Sequence, residues 1–271
     1  MAKIREKILT QDRVIKLGLD KAPIITADML KGYTSIGYNA FWNCSSLTSV
    51  TIPDSITSIG DGAFYYCTGL ASIEIPNSVN SIGNYAFYYC SGLSSAIIGN
   101  NVTNIGNYAF YYCTGLTSVT IPNSVTNIGI GSFAGCTGLV SIKIPNSIIN
   151  IGDSAFEDCV CLSSVTIGDT EYKTQKVIDG KCVAYKGFNT DMTCRDYQYK
   201  NGKTYECYSK PRLCEYGFHA CLSLADVLNY YSGRVGADFV LHEVYLDWVS
   251  DERRDDTKVV AKKITIGKRI L

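Results

Sequence analysis

Cysteine is the residue type whose spacing in this sequence could most readily support chemistry. The 271-residue chain contains 12 cysteines and two histidines. Half of the cysteines recur at a constant interval of 23 residues, as Cys44, Cys67, Cys90, Cys113, Cys136 and Cys159. Thiols repeated in this way could form disulfides, hold metal ions or act as small buried apolar groups. We favour the buried role, because side chains stacked in one direction have poor disulfide geometry and no second type of metal ligand accompanies them.

A second group of cysteines lies near the C-terminus, together with a histidine. It comprises Cys194, Cys207, Cys214, Cys221 and His219. These residue types can bind zinc, but no C-x-x-C pair is present, so the spacing favours buried or free cysteines and no bound metal. We expect His219 and His242 to be structural histidines with hydrogen-bond partners.

Aromatic residues recur at the same 23-residue interval and indicate a possible binding surface. The aromatic row and its neighbours comprise Trp42, Tyr65, Tyr66, Tyr85, Tyr88, Tyr89, Tyr108, Tyr111 and Tyr112. Tyr85 with Tyr89, and Tyr108 with Tyr112, are expected to pair as i, i+4 neighbours. The row either stiffens one side of the fold or binds a protein or glycan, since Tyr and Trp supply contact area at low entropic cost.

A polar row accompanies the strands on the side of the fold that we expect to be concave. Serines recur there, and the next outward position varies through Thr51, Glu74, Ile97, Thr120, Lys143 and Thr166. A recognition surface is expected to vary from coil to coil, as this position does at Glu74, Ile97 and Lys143. The serines and threonines alone would suit a solvated sheet face. The repeats contain no histidine, catalytic triad or phosphate loop. We therefore predict neither catalysis nor a cofactor.

These residues are positioned by a repeat of 23 residues. Its first full copy, residues 47–69, reads LTSVTIPDSITSIGDGAFYYCTG, and four more copies follow in register. Leu47, Val50 and Ile52 predict a short strand that Pro53 ends, because proline cannot donate to a sheet. A short helical turn is expected to follow, with its apolar side chains on one face.

One repeat cannot bury its own apolar face, so the copies must stack. Stacking predicts a solenoid whose core consists of one ladder of phenylalanines and one of leucines. The phenylalanine ladder is Phe41, Phe64, Phe87, Phe110, Phe133 and Phe156. Each buried ring contributes roughly 1.5–3 kcal/mol, more than a surface hydrogen bond.

The repeat resembles the BspA-like leucine-rich repeats of bacterial surface antigens. The matching pattern is Leu-x-x-Val/Ile-x-Ile-Pro followed by Val/Ile-x-x-Ile-Gly-x-x-Ala-Phe-x-x-Cys, over about residues 33–167. The resemblance implies a leucine-rich-repeat solenoid, with a β-strand and a short helical turn in each 23-residue coil. It also implies adhesion and protein binding, often at the cell surface.

The repeats are expected to be followed by a small α+β domain. Charge returns after residue 170, and the predicted divisions are a capping segment (1–32), the solenoid (33–168), a linker (169–180) and the small domain (181–271). We predict strands at 182–185, 239–248 and 259–266, a hairpin at 197–208 and a helix at 222–231. Residues 184–188, 214–221 and 256–259 resemble an uncharacterised domain of bacterial and phage proteins, which implies no activity.

An alternative for this domain is a small catalytic or nucleotide-binding unit displayed on the repeats. Residues 217–220, Ser223 and residues 229–231 are similar in layout to the nicotinamide-pocket strand and helix of ADP-ribosyltransferases. That resemblance would make Glu243 the catalytic glutamate. However, residues 185–187 (Tyr-Lys-Gly) stand where that family has its His-Gly or Arg motif.

The charge balance narrows the class of partner. The formal net charge is zero, so no strong field favours nucleic acid, and no apolar stretch is long enough to insert into a membrane. The partner is expected to be a protein or glycan. Charges interrupt the N-terminal apolar residues, so we see no secretory signal. We expect a cytoplasmic protein if the chain is complete, and a cell-surface one if a leader was removed.

The phenylalanine ladder generates a first prediction. Phe87→Ala removes a ring from the middle of the stack and should lower the free energy of unfolding by about 3–5 kcal/mol. Thermal and denaturant unfolding measure the loss. An unchanged melting curve would contradict the ladder.

Overall fold

The structure, a computed structural model, describes residues 7–173, 181–189, 193–194, 197–206, 218–221, 239–249 and 258–270. The chain divides into two compact units, residues 1–162 and residues 163–271. The predicted limits of the linker and of the C-terminal domain stay predictions. No helix in the described ranges is long and apolar enough to cross a membrane.

One side of the first unit is a parallel sheet to which every coil adds one short strand. Its seven strands are β1 (Ile8–Leu9), β3 (Ser35–Ile36), β5 (Ser58–Ile59), β7 (Ser81–Ile82), β9 (Asn104–Ile105), β11 (Asn127–Ile128) and β13 (Asn150–Ile151). The register advances by one repeat, so that Ile36 pairs with Ile59 and Ile59 with Ile82. The isoleucine of each pair points into the core and is buried.

The second side of each coil carries the strand that leads into the Ile-Pro turn. These strands are β2 (Ile24–Ile25), β4 (Ser49–Val50), β6 (Ser72–Glu74), β8 (Ser95–Ile97), β10 (Ser118–Thr120) and β12 (Ser141–Ile144). β2 pairs in parallel with β4, and β6, β8 and β10 form a parallel three-stranded sheet. The alternation of outward serine and inward isoleucine or valine matches the strand predicted from the repeat.

A ladder of tight turns, rather than a helical turn, closes each coil. Backbone groups alternate between a local bond and a bond to the next coil: Ala63 N donates to the Gly60 carbonyl at 3.2 Å, and Phe64 N donates to the Ala86 carbonyl at 2.8 Å. In an α-helix each N–H would bond four residues back. Here, bonding to the adjacent coil satisfies half of these donors, so the turn segments stack as the strands do.

The core has the composition that the repeat predicts. The phenylalanines of the ladder are fully buried, and successive rings stack with centroids 5.0–5.6 Å apart and planes within 10° of parallel. The leucine ladder is also buried: Leu47, Leu70, Leu93, Leu116, Leu139 and Leu162. The 23-residue solenoid predicted from the sequence is therefore confirmed.

The N-terminal segment joins the first coil through both sheets. Helix α1 (Gln11–Lys16) follows β1 and is capped by Thr10, whose hydroxyl accepts a hydrogen bond from the Arg13 backbone N. Leu9, Val14, Ile25 and Leu30 are fully buried and Leu19 is buried, whereas Ile8, Ile15, Leu17 and Ile24 face solvent to about half of their surface. This segment thus contributes buried apolar side chains from both of its strands, from α1 and from the two 3-10 turns that follow α1.

The second unit begins with a hairpin and continues with long and short strands that pair antiparallel. β14 (Ser164–Ile167) pairs antiparallel with β15 (Thr170–Lys173). The longer strands and their short partners are β16 (Lys181–Asn189), β17 (Thr193–Cys194), β18 (Tyr197–Gln198), β19 (Thr204–Glu206), β20 (Phe218–Cys221), β21 (Phe239–Val249) and β22 (Lys258–Arg269). β22 pairs with both β20 and β21, and β16 lies between those two, so the four strands form a closed cycle of pairings.

The hairpin predicted at residues 197–208 is wrong in its pairing. A turn does form there, with Gly202 at a φ of +72°, but β18 pairs with β17 whereas β19 pairs with β22. The Asn-Gly signal predicts the local turn, but β18 pairs with the nearby β17 and β19 with the distant β22, so the two strands flanking the turn do not pair with each other. The predicted strands at 182–185, 239–248 and 259–266 lie within β16, β21 and β22, and the predicted helix at 222–231 falls outside the described residues.

One core position departs from the repeat and generates a prediction. Ser132 is fully buried and its hydroxyl has no hydrogen-bond partner, whereas the equivalent positions hold Ala40, Ala63, Ala86, Ala109 and Ala155. A buried hydroxyl without a partner costs about 1–3 kcal/mol. Ser132→Ala should raise the free energy of unfolding by about that amount, and the reciprocal control Ala109→Ser should lower it. A Ser132→Ala protein that melts below the parent would contradict this account.

Candidate binding surfaces

Eight tyrosines from three coils form one continuous surface, which we call the tyrosine strip. It consists of Tyr65, Tyr66, Tyr85, Tyr88, Tyr89, Tyr108, Tyr111 and Tyr112. Three ladders run across the coils, with ring centroids 4.6 and 4.9 Å apart in Tyr65–Tyr88–Tyr111, 4.9 and 5.0 Å apart in Tyr66–Tyr89–Tyr112, and 5.2 Å apart in Tyr85–Tyr108. The planes within each ladder are within 12° of parallel.

The ladders are also joined sideways, so the strip is a single packed layer. Tyr85 meets Tyr88 edge-on at 5.7 Å, and Tyr88 lies tilted against Tyr89 at 5.0 Å. Ring faces are therefore largely covered by other rings, while the strip presents ring edges and hydroxyls outward. The side chains are half-buried to exposed, with Tyr66 37% and Tyr85 40% exposed.

In two of the three ladders, the last tyrosine ring lies against a glycine of the following coil. A Cβ added to Gly131 would lie 2.6 Å from a ring carbon of Tyr108, and one added to Gly135 would lie 2.5 Å from a ring carbon of Tyr112. The ring of each last tyrosine thus lies directly on the glycine of the following coil. The strip has a defined end because the sequence replaces tyrosine with glycine at these two positions.

The backbone of five tyrosines in the strip is strained. Tyr66, Tyr85, Tyr89, Tyr108 and Tyr112 have φ between 53° and 60°, in the left-handed region. Other coils fill the same two positions with residues suited to that region or smaller: Asn39, Asn43, Gly62, Gly131, Gly135, Ser154 and Asp158. A bulky residue there costs on the order of 1–3 kcal/mol.

The predicted i, i+4 pairing within a coil is wrong. Tyr85 stacks on Tyr108 of the next coil and Tyr89 on Tyr66 and Tyr112, because the turn ladder projects residues separated by one repeat onto each other. Trp42 is 47% exposed, but the structure gives its ring no stacking contact with Tyr65. Trp42 was expected to begin the strip and instead lies outside the stacked layer.

The hydroxyls of the central ladder stay protonated. Burial among the other rings raises the pKa of Tyr88 to about 12, and neighbouring tyrosines add to the shift. The pKa values of Tyr65 and Tyr111 are also raised, first by desolvation and then by neighbouring tyrosines and, for Tyr111, by Glu157 and Asp158. The strip therefore offers neutral phenols, each of which can donate or accept a hydrogen bond.

The predicted polar row lies on the exposed face of the second column of strands. Glu74 on β6 is the register partner of Ile97 on β8, and both are exposed. Lys143 is exposed on β12. A shallow, open groove of about 560 Å³ includes Glu74 and Ile97 but not Lys143.

Several residues that line this groove were missed by the sequence reasoning. They are Asp54, Pro76, Asn77, Ser78, Gly99, Asn100 and Asn101, from the turns that follow the strands. The sequence did contain a sign of them: Gly99 and Asn101 replace the proline and serine that the other four full repeats carry at these positions.

The cysteine ladder is buried and its thiols are free. Each of five Sγ atoms donates to the carbonyl of a phenylalanine in the preceding coil at 3.1–3.2 Å, as Cys90 does to Phe64. Burial raises the pKa of Cys90 and Cys159 to about 12 and that of Cys44 to about 11. These thiols are neutral packing groups, as the spacing predicted, and no cluster of metal-ligating side chains occurs among the residues that the structure describes.

The candidate residues of the C-terminal unit are only partly described. His242 is buried, with Nδ1 3.0 Å from the Gly267 carbonyl, and Glu243 lies on β21 opposite Tyr185. Cys194, His219 and Cys221 lie on described strands, but their side chains fall outside the described part of the chain. Cys207, Cys214 and most of the ADP-ribosyltransferase-like pattern lie wholly outside it. The zinc and nucleotide hypotheses therefore stay predictions from the sequence.

Comparison with known families accounts for both parts of the sequence. Residues 34–163 and 103–182 match a family model described as BspA type leucine rich repeat region, with six copies. Residues 182–271 match the model of a domain of unknown function (DUF7666). The search of curated proteins gives no match.

Solved structures similar to this chain are bacterial leucine-rich-repeat proteins. One from Bacteroides ovatus is 36% identical over 56% of this chain and 41% of its own, with a TM-score of 0.51. A leucine rich cell surface protein from Faecalibacterium prausnitzii is 34% identical over 59% of this chain and 41% of its own, with a TM-score of 0.46. A leucine-rich-repeat protein of T. pallidum is 32% identical over 52% and 62%, with a TM-score of 0.41. The chain thus spans less than two thirds of the length of each.

The raised thiol pKa values generate a prediction about alkaline stability. Above about pH 9 the unfolded chain loses thiol protons that the folded chain keeps, so stability should fall as pH rises from 9 towards 12. Cys90→Ala should make this loss shallower by about 1.4 kcal/mol per pH unit, measured by denaturant unfolding between pH 8 and 10.5 under reducing conditions. Cys161→Ser is the matched control, because that thiol is exposed in the folded protein. Equal pH slopes for Cys90→Ala and the parent would contradict the assignment.

Proposed function

Because the chain belongs to the BspA-type leucine-rich-repeat family, we propose that it is a non-enzymatic binding protein that captures a protein partner on its tyrosine strip. Family membership indicates a binding or interaction role. The choice of surface and of partner class is our own inference from the geometry of the strip.

The observation that carries the proposal is the placement of tyrosine at strained positions. Five tyrosines occupy left-handed backbone positions where the rest of the solenoid uses asparagine, glycine, serine or aspartate. Stacking returns only about 0.5–1.5 kcal/mol for each aromatic pair, which does not exceed the strain of the two residues involved. A residue that strains the backbone and adds little net stability indicates a role in function rather than in folding.

A protein partner suits the strip better than a glycan does. A sugar stacks on the open face of an aromatic ring, but within each ladder neighbouring rings cover the ring faces, and Gly131 and Gly135 lie against the last rings of two ladders. What remains is a rigid layer of ring edges and neutral hydroxyls. Such amphipathic area, already fixed in place, is typical of the energetically dominant centre of protein interfaces.

Catalysis has no support in the repeats. Residues 33–162 contain no histidine, and neither the family comparison nor the solved structures indicate a catalytic family. The alternative, a catalytic or nucleotide-binding C-terminal domain, is favoured by no contact among the residues that the structure describes.

Substitutions taken from the solenoid's own coils provide the test. The triple variant Tyr66→Asn, Tyr89→Asn and Tyr112→Asn replaces each tyrosine with asparagine, the residue found at the equivalent position of an earlier coil, Asn43. Each substitution should change the free energy of unfolding by no more than about 1 kcal/mol, since lost stacking is offset by relief of strain. Capture of the partner should weaken by about 100-fold or more, as expected when contact residues at an interface centre are removed.

The measurement is capture of proteins by the immobilised full chain, followed by binary affinity measurements with each purified protein that it retains. Tyr38→Asn is the control, because Tyr38 is 73% exposed, lies outside the strip, and corresponds to Asn84 and Asn107 of later coils. A triple variant that is stably folded and binds its partner as the parent does would overturn the proposal. A triple variant that loses several kcal/mol of stability would show that the tyrosines are structural.

A further inference from the structure

The groove beside Glu74 lies where the repeat is interrupted. The turn after β8 reads Ile98-Gly99-Asn100-Asn101, where the other four full repeats read Ile-Pro-Asn/Asp-Ser. A Cβ at position 99 would lie 2.5 Å from the carbonyl oxygen of Pro76, so only glycine fits there. The interruption removes one proline ring from the row and adds a longer amide side chain at Asn101.

The turn is held by its own amides, which leaves other groups facing the groove. Asn100 N donates to Asn77 Oδ1 at 2.7 Å, and Asn101 Nδ2 donates to the Asn77 carbonyl at 2.7 Å. These bonds orient the side chains of Asn77 and Asn101. The side chain of Asn100, Oδ1 of Asn101 and Nδ2 of Asn77 stay available to a ligand.

Two carboxylates and one buried hydroxyl in the groove have no partner among the residues that the structure describes. The carboxylates of Asp54 and Glu74 make no hydrogen bond or ion pair with the described residues, and both are exposed. Ser78 Oγ is buried and also lacks a partner. Two and three coils further along the chain, the equivalent hydroxyls of Ser124 and Ser147 each donate at 2.7 Å to a valine carbonyl of the preceding coil. The orphan hydroxyl lies in the coil before the interrupted one, and both coils line the groove.

The backbone around the groove is already used, which argues against an added peptide strand. Ile75 N donates to the Ile97 carbonyl at 2.9 Å, and β6, β8 and β10 are paired across the groove. A peptide that binds by strand addition needs a free sheet edge. The groove instead offers side-chain carboxylates and amides around one apolar patch, Ile97, which is 51% exposed.

We infer that this groove is a binding site for a saccharide that carries no negative charge. Carboxylates and amides can each bond two adjacent hydroxyls of a sugar ring, because both offer two hydrogen-bonding atoms. Ile97 and Pro76 supply an apolar floor for its C–H face. The lining contains two carboxylates and no basic residue, so an acidic sugar is repelled. The groove shares no residue with the tyrosine strip, so saccharide binding and protein capture can fail separately.

Titration calorimetry and saturation-transfer NMR of the full chain provide the test, with maltotriose, mannotriose, chitotriose and the acidic trigalacturonate as probes. At least one neutral trisaccharide should bind, and trigalacturonate should bind at least about tenfold more weakly. Glu74→Thr and Ile97→Thr should each weaken binding by about five- to tenfold, since each removes a direct contact. Both variants restore the threonine found at positions 51 and 120, so the fold is expected to persist, and a thermal melt checks this.

Lys143→Thr is the matched control, because it makes the same replacement at the equivalent position of a coil outside the groove, and its affinity should equal that of the parent. Binding of no neutral probe, or tighter binding of trigalacturonate, would overturn the inference. Equal affinities for parent, Glu74→Thr and Ile97→Thr would place any bound sugar elsewhere and would overturn it as well. If the chain instead binds peptides on an array, and Glu74→Thr and Ile97→Thr abolish that binding, the groove is a protein-binding site and the inference is overturned.

Discussion

The structure of the first unit depends on the registration of each coil on the next at intervals of one repeat. Phenylalanine rings stack at 5.0–5.6 Å, and the turn ladder and both strand columns bond across the same step. Because every structural layer uses the same displacement, a side chain at one position necessarily lies beside its equivalents 23 residues away. Local preferences within a coil matter less than this repetition.

The same constraint explains why the tyrosine strip exists and where it stops. Tyrosines at two left-handed positions are tolerated because the rings above and below hold them, and glycines at 131 and 135 let the last rings lie flat on the backbone. The strip spans the coils that carry Tyr-Tyr before the cysteine and ends where the sequence reads Ala-Gly. Its extent is thus a property of the sequence, while its rigidity comes from stacking.

The groove shows the opposite use of the repeat. Recognition there depends on a departure from the pattern, because Gly99 and Asn101 interrupt a row of prolines and serines, and the buried hydroxyl of Ser78 beside them has no partner. Regular coils satisfy their buried hydroxyls through the preceding coil, as Ser124 and Ser147 do. In a regular solenoid, an interrupted coil can bind a small specific ligand, whereas a layer repeated over several coils suits a larger protein surface.

The sequence by itself determined the period, the strands, the buried phenylalanine, leucine and cysteine ladders, and the rows of tyrosines that recur every 23 residues. These follow from a strict repeat, since equivalent residues must superpose once the apolar faces stack. Only the tertiary structure decided that the turn segment bonds to the next coil instead of forming a helical turn, so that Tyr85 stacks on Tyr108 and not on Tyr89. It also decided the strand partners of the residues around Gly202 and the groove around Gly99. Each of these depends on which of several backbone groups outside the local pattern satisfies a donor, and a pattern within one repeat carries no information about that choice.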